Sequence, residues 1–204
     1  AHKVSGQGWA EMAGTARKAA VRLLGEVLDG RQLLSQTDGA LSGLEPADRA
    51  RAQRLCAQTL RHLEQADRVL KPLLRKAPPP EVLNVLRLSV VELAMGEAAH
   101  GVVNEAVGMV RTDRHHAALS GLVNAVLRKV AALSAPFAKL PPQRLPYWLR
   151  KPLVDTYGRE VVSAIESVQA QPAPIDLTIR AGRPVPEGAD LLPSGSLRLP
   201  AGTQ

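Results

Sequence analysis

The sequence predicts a mainly α protein, in which a helical bundle over residues 15–134 is followed by a small, incomplete α+β unit over residues 147–204. Three observations support this fold class. Apolar residues recur at helical spacing through the first region. That region contains no aromatic residue, so its core must be built from Leu, Val and Ala. Finally, proline-rich sequence separates it from the one clear alternating pattern, IDLTIR at residues 175–180.

The helices of the bundle are delimited by capping residues and helix breakers. Residues 1–14 are glycine-rich and aperiodic, which predicts a flexible tail, and Thr15 can cap the first helix. Pro72 is expected to kink or divide the third helix, because proline cannot donate the backbone hydrogen bond. The fourth helix is apolar almost all round, which is typical of the centre of a bundle. The predicted helices cover residues 15–30, 32–41, 45–76, 81–95, 102–111 and 114–133.

Residues 135–146 contain four prolines and predict a linker. Beyond it, LPYWLRKPLVDTYG and REVVSAIESVQ predict two short helices separated near Gly158. IDLTIR predicts a strand, and SLRLP is a weaker strand candidate. Because a lone strand pair is rarely stable, we expect residues 147–204 to be the start of an α+β subdomain that is truncated here.

The balance of charge favours a nucleic-acid partner. The net charge is +7, the pI is about 10.1, and Lys and Arg number 26 against 19 Asp and Glu. Arg17, Lys18 and Arg22 form a basic cluster on the first helix that could neutralise phosphates or could simply be a solvated face. Arg128 and Lys129 could contact phosphates or only complement the dipole of the last helix.

Arg150 and Lys151 extend this candidate RNA-binding set into the second unit. No residue pattern indicates catalysis, a cofactor or a metal: the sequence lacks a P-loop, a glycine-rich strand–turn–helix motif and HExxH. A single cysteine, Cys56, rules out an intrachain disulfide and is expected to be a small core residue. No run approaches the roughly 18 apolar residues of a membrane span, which favours a cytoplasmic protein.

Several polar residues have interpretations unrelated to binding. Asn104 and Asn124 lie in apolar helical runs, so we expect them to be buried, partnered and important for register. His115 and His116 would be a poor metal pair, because consecutive helical residues point apart, and they are better explained as loop or capping histidines.

Five segments resemble the NusB-like domain in order and spacing over residues 15–133: ARKAAVRLLGEVL, ADRARAQRLCAQTLRHL, PPPEVLNVLRLSVVELA, VVNEAVGMVR and GLVNAVLRKV. The extension LPYWLRKPLVDTYGREVVSAIESVQAQPAPIDLTIR resembles the start of the rRNA cytosine-C5 methyltransferases of the RsmB (Sun/Fmu) type. In those enzymes a NusB-like domain precedes a small RNA-binding subdomain and a Rossmann-like catalytic domain.

The resemblance implies the RNA-binding N-terminal region of an enzyme that methylates a cytosine of small-subunit ribosomal RNA. The family uses two cysteines, in Pro-Cys and Thr-Cys contexts, and Cys56 is in neither. We therefore expect the catalytic domain and its S-adenosyl-L-methionine site to lie outside this chain. The resemblance also favours RNA contact over a solvated face for the first-helix cluster.

Two other functions are compatible with the sequence. A NusB-like transcription antitermination factor would bind RNA and a ribosomal protein, but it leaves the extension unexplained. A purely structural or interaction domain would also account for a basic helical bundle.

Overall fold

The computed structural model describes residues 6–30, 32–34, 38–180 and 182–200, which belong to two compact units, Ala1–Gln143 and Arg144–Gln204. The first unit is helical, as predicted. Within the described part of the chain, no helix is long and apolar enough to cross a membrane. The helices of the first unit are α1 (Gly6–Leu28), α2 (Pro46–Arg61), α3 (Leu63–Leu70), α4 (Pro80–Ala94), α5 (Ala99–Thr112) and α6 (Ser120–Ala131), with 3₁₀ turns at Asp38–Leu41 and Ala117–Leu119.

Helix α4 lies at the centre of this unit and packs against α1, α2, α3, α5 and α6. Its side chains serve two apolar clusters. Leu86 and Val90 belong to the cluster built with α3, α5 and α6, whereas Leu88 belongs to the cluster built with α1 and α2. All three side chains are fully buried. The prediction of a central helix that is apolar almost all round is therefore confirmed.

Helix α1 begins at Gly6, so the prediction of an irregular tail up to Thr15 was wrong for residues 6–14. The glycines of this stretch led to that prediction, because each costs about 1 kcal/mol relative to alanine in a helix. No proline interrupts the segment, and extending an existing helix is far easier than nucleating one. Residues 1–5 lie outside the described residues.

The second predicted helix, over residues 32–41, was also wrong in extent. Among the described residues of this stretch, Leu34 and Asp38–Leu41 have 3₁₀ conformation and none is α-helical. Gln32 and Leu33 have no regular structure, and residues 35–37 lie outside the described residues. A segment this short nucleates an α-helix poorly on its own.

The predicted helix over residues 45–76 is divided, and its first break is not at Pro72. The backbone leaves the helix at His62, between α2 and α3, and α3 ends at Leu70 before the proline is reached. Nδ1 of His62 lies 2.7 Å from Oε1 of Gln65, and its ring stacks on Phe137 with centroids 5.6 Å apart. A local contact and one 75 residues away in sequence therefore accompany the break.

The predicted linker is in large part packed on the bundle. Phe137 contacts the apolar cluster of α3–α6 as well as His62. The side-chain oxygen of Gln143 accepts a hydrogen bond from the backbone N–H of Glu64, 3.0 Å away, in the first turn of α3. Residues 135–143 thus belong to the first unit, and the boundary between the units follows Gln143.

The second unit contains helix α7 (Tyr147–Gln169) and the strands β1 (Ile175–Leu177), β2 (Asp190–Leu191) and β3 (Leu197–Leu199). Gly158, with φ of 81° and ψ of 162°, divides α7 into the two predicted helical pieces. The strands are antiparallel in the order β1-β3-β2. IDLTIR and SLRLP therefore both contribute strands, although shorter ones, and the two-residue β2 was not predicted.

Candidate nucleic-acid interface

The structure places the first predicted phosphate ligand, Arg17, inside the bundle. Only 5% of this residue is exposed. Nε of Arg17 donates to both carboxylate oxygens of Glu92 on α4, at 2.9 and 3.0 Å, and Nη1 donates to Glu105 on α5. The guanidinium is therefore committed to two carboxylates, and the prediction that it faces RNA is contradicted.

The charges of this cluster depend on each other. Burial lowers the pKa of Arg17, but the hydrogen bonds to Glu92 and Glu105 and the charges of these carboxylates raise it by more. The pKa of Arg17 therefore lies above its ordinary value. Burial likewise raises the pKa of the Glu92 carboxyl, against the opposing effect of Arg17. Both oxygens of Glu92 accept hydrogen bonds, which is the arrangement of an ionised carboxylate. We therefore assign the ionised pair at neutral pH.

Lys18 and Arg22 are exposed and stand one helical turn apart on α1. They line a cleft of about 270 Å³ between α1, the start of α4 and the end of α5. The floor of this α1–α4–α5 cleft is apolar, and Glu81 and Asp113 lie on its rim. Among the described residues, neither cation forms an ion pair with either carboxylate. The structure thus brings these two predicted site residues together in an open concave site.

Arg128 and Lys129 lie in the last turn of α6 and are exposed, as an RNA contact requires. Neither lines the α1–α4–α5 cleft. Nε of Arg128 donates to Oδ1 of Asn124, at 3.2 Å, one turn earlier on the same helix. This contact leaves most of the guanidinium donors available.

Arg150 in the second unit has a structural partner. Its Nε and Nη2 donate to the two oxygens of Glu166, at 2.8 and 3.3 Å, and the backbone N–H of Leu145 donates to the same carboxylate at 2.9 Å. Burial raises the pKa of Glu166, but these hydrogen bonds outweigh it and hold the pKa below its ordinary value. Lys151 is exposed and forms an i,i+4 ion pair with Asp155.

The expectation that Asn104 and Asn124 are buried was wrong. Asn104 is exposed, with Nδ2 2.9 Å from Nε2 of His100, and Asn124 is half-buried. The buried asparagine is Asn84, whose Oδ1 accepts from Nη1 of Arg87 at 3.0 Å. The apolar character of a run did not show on which side of the helix its asparagine lies.

His115 and His116 lie in the turn after α5, which confirms them as loop histidines. The backbone N–H of His115 donates to Oδ1 of Asp113 at 2.8 Å, and Nδ1 of His116 lies 3.2 Å from Oδ2. These hydrogen bonds lower the pKa of Asp113. Cys56 is buried in the cluster of α1 and α2, and burial raises the pKa of its thiol to about 12, which confirms a core role.

Two features of the surface were not predicted. Tyr147 and Trp148, in the first turn of α7, are 77% and 74% exposed. Their one-turn spacing from Lys151 was visible in the sequence, but nothing there indicated that they avoid the core. The carboxylates on the rim of the cleft were also missed, because Glu81 and Asp113 are brought together only by the packing of α4 against α5.

We predict that Arg17→Gln lowers the free energy of unfolding by about 3–5 kcal/mol, because it leaves Glu92 buried without its charged partner. The matched neighbour Lys18→Gln should change it by less than about 0.5 kcal/mol, because that side chain is solvated. Urea unfolding followed by circular dichroism measures both values. Equal small effects of the two substitutions would show that the buried pair does not stabilise the bundle.

We also predict that the second unit loses stability in acid. Because the pKa of Glu166 is lowered in the folded state, its stabilising effect is present above the ordinary value of 4.5 and disappears as pH falls through the lower folded value. Hydrogen-exchange protection of α7, corrected for intrinsic rates, should therefore decrease over that range. Glu166→Gln should reduce protection at neutral pH and flatten the profile, whereas Glu160→Gln on the exposed face should not.

Comparison with known proteins supports the assignment of the helical unit. The NusB family model matches residues 14–132, which is more than half of the chain. The chain is also 41% identical, over 128 residues, to ribosomal RNA small subunit methyltransferase B of Thermus thermophilus. That alignment covers 61% of this chain and 32% of the Thermus protein, so the chain spans about a third of that relative. The matched family and the observed helical bundle agree, and the chain belongs to the NusB family.

Proposed function

We propose that this chain is the RNA-binding N-terminal region of a small-subunit rRNA (cytosine-C5)-methyltransferase and that it positions rRNA for catalysis. The 41% identity to an rRNA methyltransferase carries this proposal. The chain's own chemistry is consistent with it, because exposed cations stand around a stable helical frame and no group arranged for catalysis accompanies them among the described residues. The buried, protonated thiol of Cys56 is unsuited to attack a base.

The proposed RNA contacts are Lys18 and Arg22 on α1, Arg128 and Lys129 on α6, and Lys151 on α7. All five side chains are exposed. Arg17 and Arg150 are left out, because each donates to a buried carboxylate and would leave that carboxylate uncompensated if it turned to a phosphate. Phosphate neutralisation by such cations is independent of sequence and sensitive to salt.

In this proposal S-adenosyl-L-methionine is the methyl donor of the whole enzyme. The described residues do not fit that cofactor: their strands are antiparallel, and no glycine-rich turn joins a parallel strand to a helix. We therefore assign no residue of this chain to the cofactor. The substrate would be small-subunit rRNA, and the enzyme would act in the cytoplasm.

A NusB-like antitermination factor is the second candidate, because the family match covers the helical unit alone. Such a factor would bind a ribosomal protein in addition to RNA. Affinity capture from cytoplasm, followed by the intact mass of the native polypeptide, separates the two. A ribosomal protein in stoichiometric amount favours the factor, whereas a polypeptide about twice this length favours the methyltransferase.

We predict that the chain binds small-subunit rRNA with strong salt dependence and catalyses no methyl transfer. Each phosphate contact contributes about 0.7–0.9 to the slope of log affinity against log salt concentration, so Lys18→Gln with Arg22→Gln should reduce the slope by up to roughly 1.4–1.8. Fluorescence anisotropy over a salt series measures the slope.

Arg54→Gln is the matched control, because Arg54 is an exposed cation on α2 outside the cleft. It should leave the slope within about 0.3 of the unmodified chain, well below one phosphate contact. Absent binding, or binding that does not respond to salt, would contradict the proposed function.

A further inference from the structure

The α1–α4–α5 cleft has the construction of a ligand site rather than of a flat basic face. Its floor contains Val82, Val85 and Val110, all of which are buried. Its volume of about 270 Å³ is close to the lower end of the roughly 300–1,000 Å³ typical of small-molecule sites. It therefore has room for a single small planar group.

The rim of the cleft carries both cations and carboxylates, and among the described residues no ion pair joins the two sets. Lys18 and Arg22 come from α1, whereas Glu81 and Asp113 come from α4 and the end of α5. The ion-pair contact of Glu81 within the described residues is a long one, 3.9 Å to Nε2 of His116. Asp113 accepts from His115 and His116, and a carboxylate with four lone-pair directions retains acceptor capacity.

Such a cleft suits a ligand that combines an anionic group, a flat apolar part and a hydrogen-bond donor. We infer that it holds one unstacked RNA nucleotide whose base carries an exocyclic amino group. Lys18 and Arg22 contact the phosphates, the base lies over the valine floor, and the amino group donates to Glu81 or Asp113. This inference rests on the proposed function, since it names the part of the RNA that this surface binds.

The carboxylates set the base preference. Cytosine, adenine and guanine carry an exocyclic amino group, and Asp or Glu is a recognised acceptor for the amino group of cytosine. Uracil has no amino group; its ring N–H lies between two carbonyl oxygens, and these oxygens are repelled by an ionised carboxylate. Unpaired bases are the ones that proteins recognise on RNA by such edge contacts.

The test measures the affinity of the full chain for oligo(C), oligo(A) and oligo(U) of equal length at one salt concentration. We expect oligo(C) and oligo(A) to bind about five- to tenfold more tightly than oligo(U). The double variant Glu81→Gln, Asp113→Asn should strengthen binding of oligo(U), because repulsion is removed, without strengthening that of oligo(C). The preference should then fall below about twofold.

The matched control is Glu26→Gln with Asp29→Asn. These two acidic residues line an adjoining hollow, which shares Arg22, Glu81 and Asp113 with the cleft, but they do not line the cleft itself. Removing their charges should change the affinity for all three oligonucleotides by the same factor. If the cleft variant also acts equally on all three, its carboxylates contribute only to the general potential and the inference is overturned.

A second measurement reports on the floor directly. Cytidine 5′-monophosphate should shift the methyl resonances of Val82, Val85 and Val110 in NMR spectra of the unmodified chain, and uridine 5′-monophosphate should shift them less.

Absence of shifts, together with a protein partner whose capture the cleft variant abolishes, would identify the cleft as a peptide site and overturn the inference. Salt-dependent RNA binding without base preference would overturn it too, yet leave the proposed function intact. If the unmodified chain bound no RNA at all, both the inference and the proposed function would be refuted.

Discussion

The buried ion pair between Arg17 and Glu92 is the constraint on which the arrangement of the first unit depends. Helix α4 is surrounded by other helices and Glu92 is buried on it, so this carboxylate needs a charged partner within the core. Arg17 supplies that partner from α1 and also reaches Glu105 on α5. Three helices are thereby fixed by one guanidinium, at a point where leaving either charge alone would be costly.

The same pair determines which side of α1 faces solvent. Arg17 lies on the buried side with Ala20 and Leu24, which follow at helical spacing of three and seven residues. Lys18 and Arg22 therefore turn outward to the cleft. The exposure of the proposed RNA contacts is thus a consequence of core packing, and a shift of α1 by one residue would exchange their roles.

The elements that could be predicted are those specified by local pattern. The all-apolar sequence of α4 and the pair of helices around Gly158 required no knowledge of distant contacts. The break at His62 and the packing of residues 135–143 could not be predicted, because both depend on contacts between segments some 75 residues apart, such as His62 with Phe137. Proline content indicates where a helix stops, but it does not indicate whether the residues that follow pack on the helical bundle.

The candidate site was predictable to the same degree and for the same reason. Lys18 and Arg22 are exposed, as a phosphate contact requires, whereas Arg17 is buried against an acidic partner that lies 75 positions away. Arg150 is likewise paired with a distant carboxylate, Glu166, which the sequence did not indicate.

A common geometry explains why arginine content alone misleads here. Arg17, Arg87, Arg150 and Arg198 each use Nε, together with Nη2, against a carboxylate: those of Glu92, Asp67, Glu166 and Asp176, respectively. The planar fork that suits phosphate suits these carboxylates equally well. Some of the arginine residues whose number indicates a nucleic-acid partner therefore hold helices and strands together instead. A cation that is held by a buried carboxylate, such as Arg17 or Arg150, is not available to release counterions from RNA. The salt dependence of binding should therefore follow the exposed cations and not the net charge of the chain.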